Sequence, residues 1–236
     1  MSDSFYLRQL KAGVDFGGSD VTASGFQNFV YLIGDRDKRE CLVVDPAWDI
    51  QGIVDCARSD EMKIVGALVT HYHPDHVGGD LWGHSVQGLA ELMAIEPCPV
   101  YCHEAEAEGV RIMTGLSNSD LSLVRSGDKV RVGDVEVECL HTPGHTPGSQ
   151  CFKCRGSLIS GDTLFLSGCG RVDLPGGDSE EMYRTLTQRL PTLSGTLELY
   201  PGHDYGQLPH ASLDVVRQTN PYLQVPDLAT WRRMMG

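Results

Sequence analysis

The sequence has no long hydrophobic run. No stretch of its 236 residues reaches the roughly 18 apolar residues of a membrane span. The N-terminal segment MSDSFYLRQLKAG also lacks the apolar core of a signal peptide. We therefore expect no membrane partner and a cytoplasmic location.

Positive charge is also scarce. The chain has 19 Lys and Arg against 32 Asp and Glu, which gives a formal net charge of -13 at pH 7. Such a chain offers no broad electrostatic attraction for nucleic acid or an anionic membrane. Local cations must hold any anionic substrate, and we expect a small molecule rather than nucleic acid as the partner.

No low-complexity linker and no internal repeat divides the chain, so residues 1–236 are assigned to one domain. The eight cysteines are scattered and lack the compact spacing of a disulfide framework, which predicts reduced thiols. Cys151 and Cys154 form a CFKC pair without the second half of a zinc site. We interpret them as ordinary strand residues.

Hydrophobic periodicity predicts an α/β protein. Two runs of strands are each followed by helices, which indicates two β-sheets packed face to face with helices outside. Strands are predicted at 27–34, 40–45, 63–70, 99–103, 129–132, 135–141, 149–153, 157–160 and 196–200. Helices are predicted at 49–59, 86–95, 104–113 and 178–190, with a short helical tail over 207–236. The stretch 81–113 is expected to form one wall of a pocket.

The densest polar motif is THYHPDHVGG, directly after a predicted buried strand. His71 and His73 point the same way if the backbone is extended, while Asp75 and His76 lie beyond Pro74 on a turning backbone. One loop can therefore supply two neighbouring metal positions. A polar loop with chance histidines is the alternative, and the density of the cluster makes it improbable.

Three later segments share this appearance. They are HTPGHTPGS with His145, SGDTLF with Asp162 and YPGHDYG with His203, and each follows an apolar strand. Imidazole and carboxylate ligands suit zinc, iron or manganese, and one carboxylate can bridge two ions.

As a set, these motifs resemble the metallo-β-lactamase superfamily over about residues 26–206. HYHPDH matches the HxHxDH signature of that superfamily, and the three later motifs match its remaining ligand positions in order. The resemblance implies an αβ/βα sandwich with two mixed sheets. It also implies two zinc ions, or a mixture of zinc, iron and manganese. One ion is held by His71, His73 and His145 and the other by Asp75, His76 and His203, with Asp162 as the bridge.

Three other polar residues, two histidines and one aspartate, lie near these motifs in the sequence. His84 and His141 fall on no ligand position of the family, and we interpret them as loop residues or as neighbours of the ligands. Asp45 either accepts the second N–H of a ligand histidine or simply starts the turn at Pro46. The sequence leaves both interpretations open.

Two adjacent cations lower the pKa of a shared water and polarise a carbonyl, so the site indicates hydrolysis of an acyl compound. Asp75 and Asp162 are the candidate catalytic residues, which would orient hydroxide and take part in proton transfer. Metal charge would stabilise a departing thiolate.

The segment GDTLFLSGCGRVDLPGG resembles glyoxalase II, which hydrolyses glutathione thioesters. Arg171 occupies the basic position of that family and could pair with a substrate carboxylate, or it could be a surface residue paired with Asp173. Glyoxalase II has a longer C-terminal helical region with further cations, whereas about thirty residues follow His203 here. Other acyl-thiol carriers therefore stay open.

The alternative is a persulfide dioxygenase. GCGR followed by Asp two residues later, PGHDY and NPYL resemble that group, and the resemblance implies one iron(II) on His71, His145 and Asp162. The glycines of HPDHVGG favour the hydrolase. A third hypothesis, a non-enzymatic protein with a structural metal, is disfavoured because structural zinc sites are usually closed by four ligands.

Two further expectations concern assembly and the C-terminus. A homodimer is a reasonable expectation because two-fold dimers are the commonest oligomers. The C-terminal segment ATWRRMMG is expected to dock on the surface or on a partner subunit. The alternative places it over the active-site mouth, where it would present Arg232 or Arg233.

Overall fold

The computed structural model describes residues 4–235 as fourteen strands and eight α-helices. The strands are β1 (Phe5–Lys11), β2 (Phe29–Asp35), β3 (Glu40–Val44), β4 (Lys63–Leu68), β5 (Gly79–Leu81), β6 (His84–Val86), β7 (Val100–His103), β8 (Leu121–Val124), β9 (Lys129–Val132), β10 (Val135–His141), β11 (Gln150–Cys154), β12 (Ser157–Gly161), β13 (Glu198–Pro201) and β14 (Ala211–Ser212). The α-helices are α1 (Val21–Phe26), α2 (Ile50–Ser59), α3 (Pro74–Val77), α4 (Leu89–Ile95), α5 (Ala107–Thr114), α6 (Ser179–Arg184), α7 (Leu213–Thr219) and α8 (Leu228–Met235).

Twelve of these strands form two six-stranded sheets. The first has the order β1-β2-β3-β4-β7-β8, and the second has the order β14-β13-β12-β11-β10-β9. In the first sheet β1, β2 and β3 pair antiparallel, whereas β3, β4, β7 and β8 pair parallel. The second sheet is antiparallel except for the pair β12–β13. Both sheets are mixed, as expected.

The two sheets face each other across an apolar layer. Alternate residues of β2, namely Phe29, Tyr31 and Ile33, contribute to this layer, and Val137 and Phe152 meet them from the second sheet. Period-two alternation places the intervening β2 residues on the opposite face, under the helices. Burial of each large apolar side chain contributes about 1.5–3 kcal/mol. The predicted face-to-face packing is confirmed.

Helices cover the outer faces of both sheets. α2 buries Ile50, Ile53 and Val54 on the side that packs toward the first sheet. On the second sheet, Trp231 of α8 is fully buried and donates its indole N–H to Ser179 at the start of α6. The C-terminal segment therefore docks on α6, as the sequence analysis favoured. None of the described helices is long and apolar enough to cross a membrane.

Several elements were not predicted from the sequence. These are β1, α1, the two-stranded hairpin β5–β6, β8 and β14. The predicted helix 86–95 begins only at Leu89, because Val86 pairs with Gly79 in the hairpin. The predicted helix 178–190 is α-helical only to Arg184 and then continues as a π-helical turn. The assignment of residues 1–236 to one domain stays a prediction.

The parallel strand pairs bring the polar motifs to one edge of the sandwich. Because β3 and β4 run parallel, Asp45 and Thr70 follow them at the same end. Asp162 and His203 likewise follow β12 and β13. An isolated bridge between Asn28 and His203 joins the two sheets at this edge. The candidate site lies between these strand ends.

Candidate metal centre

Three histidine nitrogens converge at one end of the site. His145 Nε2 lies 3.2 Å from His71 Nε2 and 3.0 Å from His73 Nδ1. We call these three residues the first triad. His71 and His73 reach it from the same side of the chain, just before α3 begins at Pro74. Nitrogens this close can supply the ligand atoms of one metal ion.

Asp75, His76 and His203 form a second triad. Asp75 Oδ2 lies 3.3 Å from His76 Nε2 and 3.4 Å from His203 Nε2. The two imidazole nitrogens are 3.3 Å apart. All three side chains are buried. As expected, α3 turns the chain so that one loop serves both triads.

Asp162 lies between the triads. Its Oδ1 is 3.3 Å from His203 Nε2 and 3.4 Å from His76 Nε2, and its Oδ2 is 3.7 Å from His145 Nε2. Oδ1 is buried and has no hydrogen-bond partner among the described residues. Buried carboxylate oxygens are normally paired, so this orphaned atom fits a ligand that bridges two cations.

Two glycines allow this approach. A Cβ at Gly202 would collide with Asp162 Oδ1, and a Cβ at Gly170 would collide with the Asp162 carbonyl and the His145 ring. The glycines of PGH and GCG are therefore explained by close packing around the site.

Outer hydrogen bonds fix the tautomers of two histidines. His145 Nδ1 lies 2.6 Å from the Arg171 carbonyl, and His203 Nδ1 lies 2.8 Å from the Phe26 carbonyl. A carbonyl only accepts, so each Nδ1 must carry the hydrogen. In the neutral rings, the form that binds metal ions, both Nε2 atoms then present lone pairs to the site.

Asp45 fixes the tautomers of two further histidines, His76 directly and His71 through Thr70. It accepts from His76 Nδ1 at 3.0 Å, from the Thr70 amide at 2.7 Å and from the Thr70 hydroxyl at 2.5 Å. Because that hydroxyl donates to Asp45, its oxygen is free to accept from His71 Nδ1 at 3.0 Å. Of the two interpretations of Asp45 left open by the sequence, the ligand-orienting one is correct.

Asp75 is held by residues that the sequence did not reveal. Asn28 donates its amide N–H to Asp75 Oδ2 at 3.0 Å and accepts from Trp48 Nε1 at 2.9 Å. Because the Asn28 amide oxygen accepts from the Trp48 indole, the amide is oriented with its hydrogens toward the Asp75 carboxylate. An isolated Asn and Trp carry no motif, so only their contacts identify them.

Glu106 joins the two ligand loops. One carboxylate oxygen accepts from the Tyr72 amide at 2.8 Å, and the other accepts from the Thr146 hydroxyl at 2.8 Å and the Gly148 amide at 2.6 Å. Its side chain is fully buried. Burial raises the pKa of Glu106, against the opposing effect of these three donors. The residue positions both loops and was missed because nothing near it in the sequence marks it.

The first triad favours neutral imidazoles. Burial, followed by the neighbouring His76, lowers the pKa of His71 well below its ordinary range. Burial and the nearby His145 lower the pKa of His73 to about 4. Burial also lowers the pKa of His145. Neutral imidazole is the form that binds metal ions.

The second triad is rich in negative charge. Burial would raise the pKa of Asp75, but the positive charge of His76 outweighs it, so the pKa lies below its usual range. The pKa of Asp162 is also lowered, by His203 and His76 against the effect of burial. Conversely, these carboxylates raise the pKa of His76 and His203 despite burial. Two ionised carboxylates in a buried site call for compensating cations.

The site opens into a cavity of about 770 Å³, a typical size for a small-molecule site. Of the predicted wall 81–113, Leu81, Trp82 and Met113 line the cavity, so the two ends of that stretch contribute to the wall and the residues between them do not. Arg171 also lines it, but its guanidinium makes a two-pronged ion pair with Asp173 at 2.9 and 2.8 Å. Arg171 is therefore at the cavity, and it is also paired.

The other residues weighed in the sequence lie outside the two triads. His84 pairs with Asp20 at 3.1 Å, and His141 stacks on His103 with ring centroids 4.0 Å apart. All eight cysteines are free, and none belongs to a metal-capable group in the described part of the chain. Cys151 and Cys154 lie in β11 and are buried, as predicted for ordinary strand residues.

The chain belongs to the metallo-β-lactamase superfamily, whose family model matches residues 23–208. Its relatives include both hydrolases and dioxygenases. The probable polyketide biosynthesis zinc-dependent hydrolase BaeB of Bacillus velezensis is 29% identical over 85% of this chain and 83% of its own length. The hydroxyacylglutathione hydrolase of a Polaromonas species is 36% identical over 78% of this chain and 65% of its own length.

Similarity to ETHE1 is found in both sequence and structure. The persulfide dioxygenase ETHE1 of Homo sapiens is 30% identical over 83% of this chain and 71% of its own length. The crystal structure of ETHE1 from Myxococcus xanthus superposes with a TM-score of 0.79 at 26% identity, and covers 98% of this chain and 89% of its own. The fold expectation is confirmed, and the relatives divide between the two reactions that the motifs indicated.

Proposed function

We propose that this protein is a binuclear metallohydrolase that cleaves thioesters of small acyl-thiols. The observation that carries the proposal is the position of Asp162 between two triads of converging ligand atoms, with the orphaned Oδ1 at the second triad and Oδ2 facing His145 of the first. The second triad is as fully supported as the first, since Asp45, Asn28 and the Phe26 carbonyl each orient one of its members. Hydrogen bonds that orient all three members of the second triad are expected if that triad holds its own metal ion.

Divalent ions held by the two triads and Asp162 would act as Lewis acids and lower the pKa of bound water. Asp75 and Asp162 are ionised at neutral pH because their pKa values lie below the usual range. Both carboxylates can therefore accept a hydrogen bond from water and orient that water toward the acyl carbon. Water supplies hydroxyl to that carbon and a proton to sulfur, and the C–S bond breaks.

A mononuclear iron(II) persulfide dioxygenase is the second candidate. It is favoured by the GCGR and Asp173 motif and by the similarity to ETHE1. In that case His71, His145 and Asp162 would hold the iron. The three residues of the second triad would then not be needed as ligands.

Elemental analysis of protein purified without added metal, followed by two assays, tests the proposal. Two ions per chain, mainly zinc, with cleavage of S-lactoylglutathione or another thioester and no oxygen uptake, are expected. His203→Ala should then abolish cleavage. One iron per chain, with oxygen uptake on glutathione persulfide that survives His203→Ala, would establish the dioxygenase instead.

The proposal includes a cytoplasmic location and a small-molecule partner. The eight free cysteines support a reducing compartment. The net charge of -13 argues against nucleic acid as a partner.

A further inference from the structure

Four aromatic side chains gather at the second-triad end of the cavity. Tyr205 stacks on His203 with centroids 4.6 Å apart and planes at 9°, and Phe165 lies 5.9 Å from the same imidazole. The Phe26 carbonyl accepts from His203, and the Phe26 ring lies next to Trp82, with ring centroids 6.3 Å apart. We call Phe26, Trp82, Phe165 and Tyr205 the aromatic wall, and all four line the cavity.

Trp82 is the most unusual member of the wall. Its side chain is 81% exposed, although tryptophan is usually largely buried. It also has φ of +53°, followed by Gly83 at +89°, in the tight turn of the β5–β6 hairpin. Bulky residues rarely adopt this left-handed conformation, and Asn or Gly would relieve it. A strained, exposed tryptophan beside a metal site is explained by an apolar ligand that covers it.

The hairpin is held in place beneath this tip. His84, on the returning strand, pairs with Asp20 at 3.1 Å and lies 6.0 Å from the Trp48 ring. Trp82 is therefore presented at the mouth by an anchored element. An apolar surface that is already in place loses little conformational entropy when a ligand covers it.

Positive charge is scarce in the cavity lining and lies beside the first triad. Arg171 is the only Lys or Arg that lines the cavity within residues 4–235. Its carbonyl contacts His145, so it lies beside the first triad, and Asp173 already neutralises its guanidinium. Asp80 adds a negative charge to the lining. The aromatic wall thus offers no cationic partner for a carboxylate.

We propose that the site selects thioesters with an apolar acyl chain, which lies along the aromatic wall while the thiol carrier leaves past Arg171. This inference rests on the proposed thioester hydrolysis and specifies its substrate class. Hydrolysis of such a compound yields the free apolar carboxylic acid and the free thiol. A short hydroxyacyl group such as lactoyl would leave the aromatic wall uncovered.

A series of N-acetylcysteamine thioesters with acetyl, butanoyl, hexanoyl and octanoyl groups tests the proposal with one constant carrier. We expect kcat/KM to rise roughly fourfold per methylene, which corresponds to about 0.8 kcal/mol, until the chain outgrows the wall. Trp82→Ala should lower octanoyl cleavage at least tenfold and change acetyl cleavage less than twofold. Trp82→Phe should restore most of the preference. Ile112→Ala, which removes an exposed apolar side chain outside the cavity, is the matched control.

Equal kcat/KM across the series, or an equal loss for acetyl and octanoyl in Trp82→Ala, would overturn the chain-length inference and leave thioester hydrolysis standing. A preference for S-lactoylglutathione over octanoyl-N-acetylcysteamine would also overturn it. If no thioester is cleaved, the proposed function fails. Calorimetric binding of S-octyl and S-methyl thioethers of N-acetylcysteamine then reports on the wall separately, and equal affinities for the two would refute the apolar selection.

Discussion

Replacing Asp45 by Asn should weaken metal binding by changing the tautomers of the histidines that Asp45 orients. The carboxylate receives three donors and donates nothing: the Thr70 amide, the Thr70 hydroxyl and His76 Nδ1. The Asn side chain has one oxygen acceptor, and an NH₂ donor replaces the second carboxylate oxygen. If its NH₂ faced the Thr70 amide, two donors would oppose each other at 2.7 Å, at a cost of about 1–3 kcal/mol.

The amide should therefore turn its NH₂ toward His76. His76 Nδ1 must then accept, and the ring hydrogen moves to Nε2, where it points at Asp75 Oδ2 at 3.3 Å. The second triad loses one lone pair. Loss of an orienting partner costs 10- to 100-fold in metal affinity, or about 1.4–2.7 kcal/mol. The first triad should be affected through the same oxygen, because the Thr70 hydroxyl also donates to Asp45 Oδ2. With an NH₂ in that position, the hydroxyl hydrogen can turn to His71 Nδ1, which moves the His71 ring hydrogen to Nε2.

Competition titration with a chelator, together with elemental analysis, measures this effect. Asp35→Asn is the matched control, because Asp35 is also a buried carboxylate but accepts from the Asp37 and Asp134 amides away from the site. Asp45→Asn should bind metal about 10- to 100-fold more weakly, and Asp35→Asn should bind it with unchanged affinity. Two ions bound with unchanged affinity in Asp45→Asn would refute the tautomer argument.

Three further predictions follow from the same contacts. Glu106→Ala leaves three buried donors without an acceptor and should lower the free energy of unfolding by about 3–5 kcal/mol, as measured by urea denaturation of the metal-free protein. Gly202→Ala places a methyl group against Asp162 and should reduce turnover at least tenfold, whereas Gly156→Ala, with open space around its Cα, should not. Burial, then His141, lowers the pKa of His103 from 6.5 to about 4, so the unfolded chain is protonated first. Stability should fall by about 2 kcal/mol between pH 6.5 and 4, and urea midpoints for His103→Asn should show a smaller fall.

The ligand set and the sandwich could be predicted because their signals are local. Each ligand motif is a short run of His, Asp, Gly and Pro that follows an apolar strand, and strand alternation indicates which faces are buried. The edge strand β1 was missed because only Tyr6 and Leu10 among its seven residues are buried. The hairpin β5–β6 was missed because its turn places Trp82 where a sequence pattern leads one to expect Asn or Gly.

The residues that orient the ligands could not be predicted from the sequence for a different reason. Asn28, Trp48 and Glu106 each act through a single side chain that reaches a loop 20 to 47 positions away. No spacing links them to the motifs they support, since the sheet order alone brings them together. The ligand motif thus identifies a superfamily. The residues that orient the ligands and those that line the cavity carry the information about reaction and substrate.

The residues that orient the second triad bear on the choice between hydrolase and dioxygenase. The seven side chains contain both proposed ligand sets, three residues for the dioxygenase and all seven for the hydrolase, so their presence cannot discriminate. What differs is whether the second triad must hold an ion, and that depends on the residues behind it. Here Asp45 and the Phe26 carbonyl accept the Nδ1 hydrogens of His76 and His203, so that each ring in its neutral form presents its Nε2 lone pair, and Asn28 fixes Asp75. A triad with its lone pairs turned inward and Asp162 Oδ1 left unpaired beside it is organised for a second cation, which favours the hydrolase.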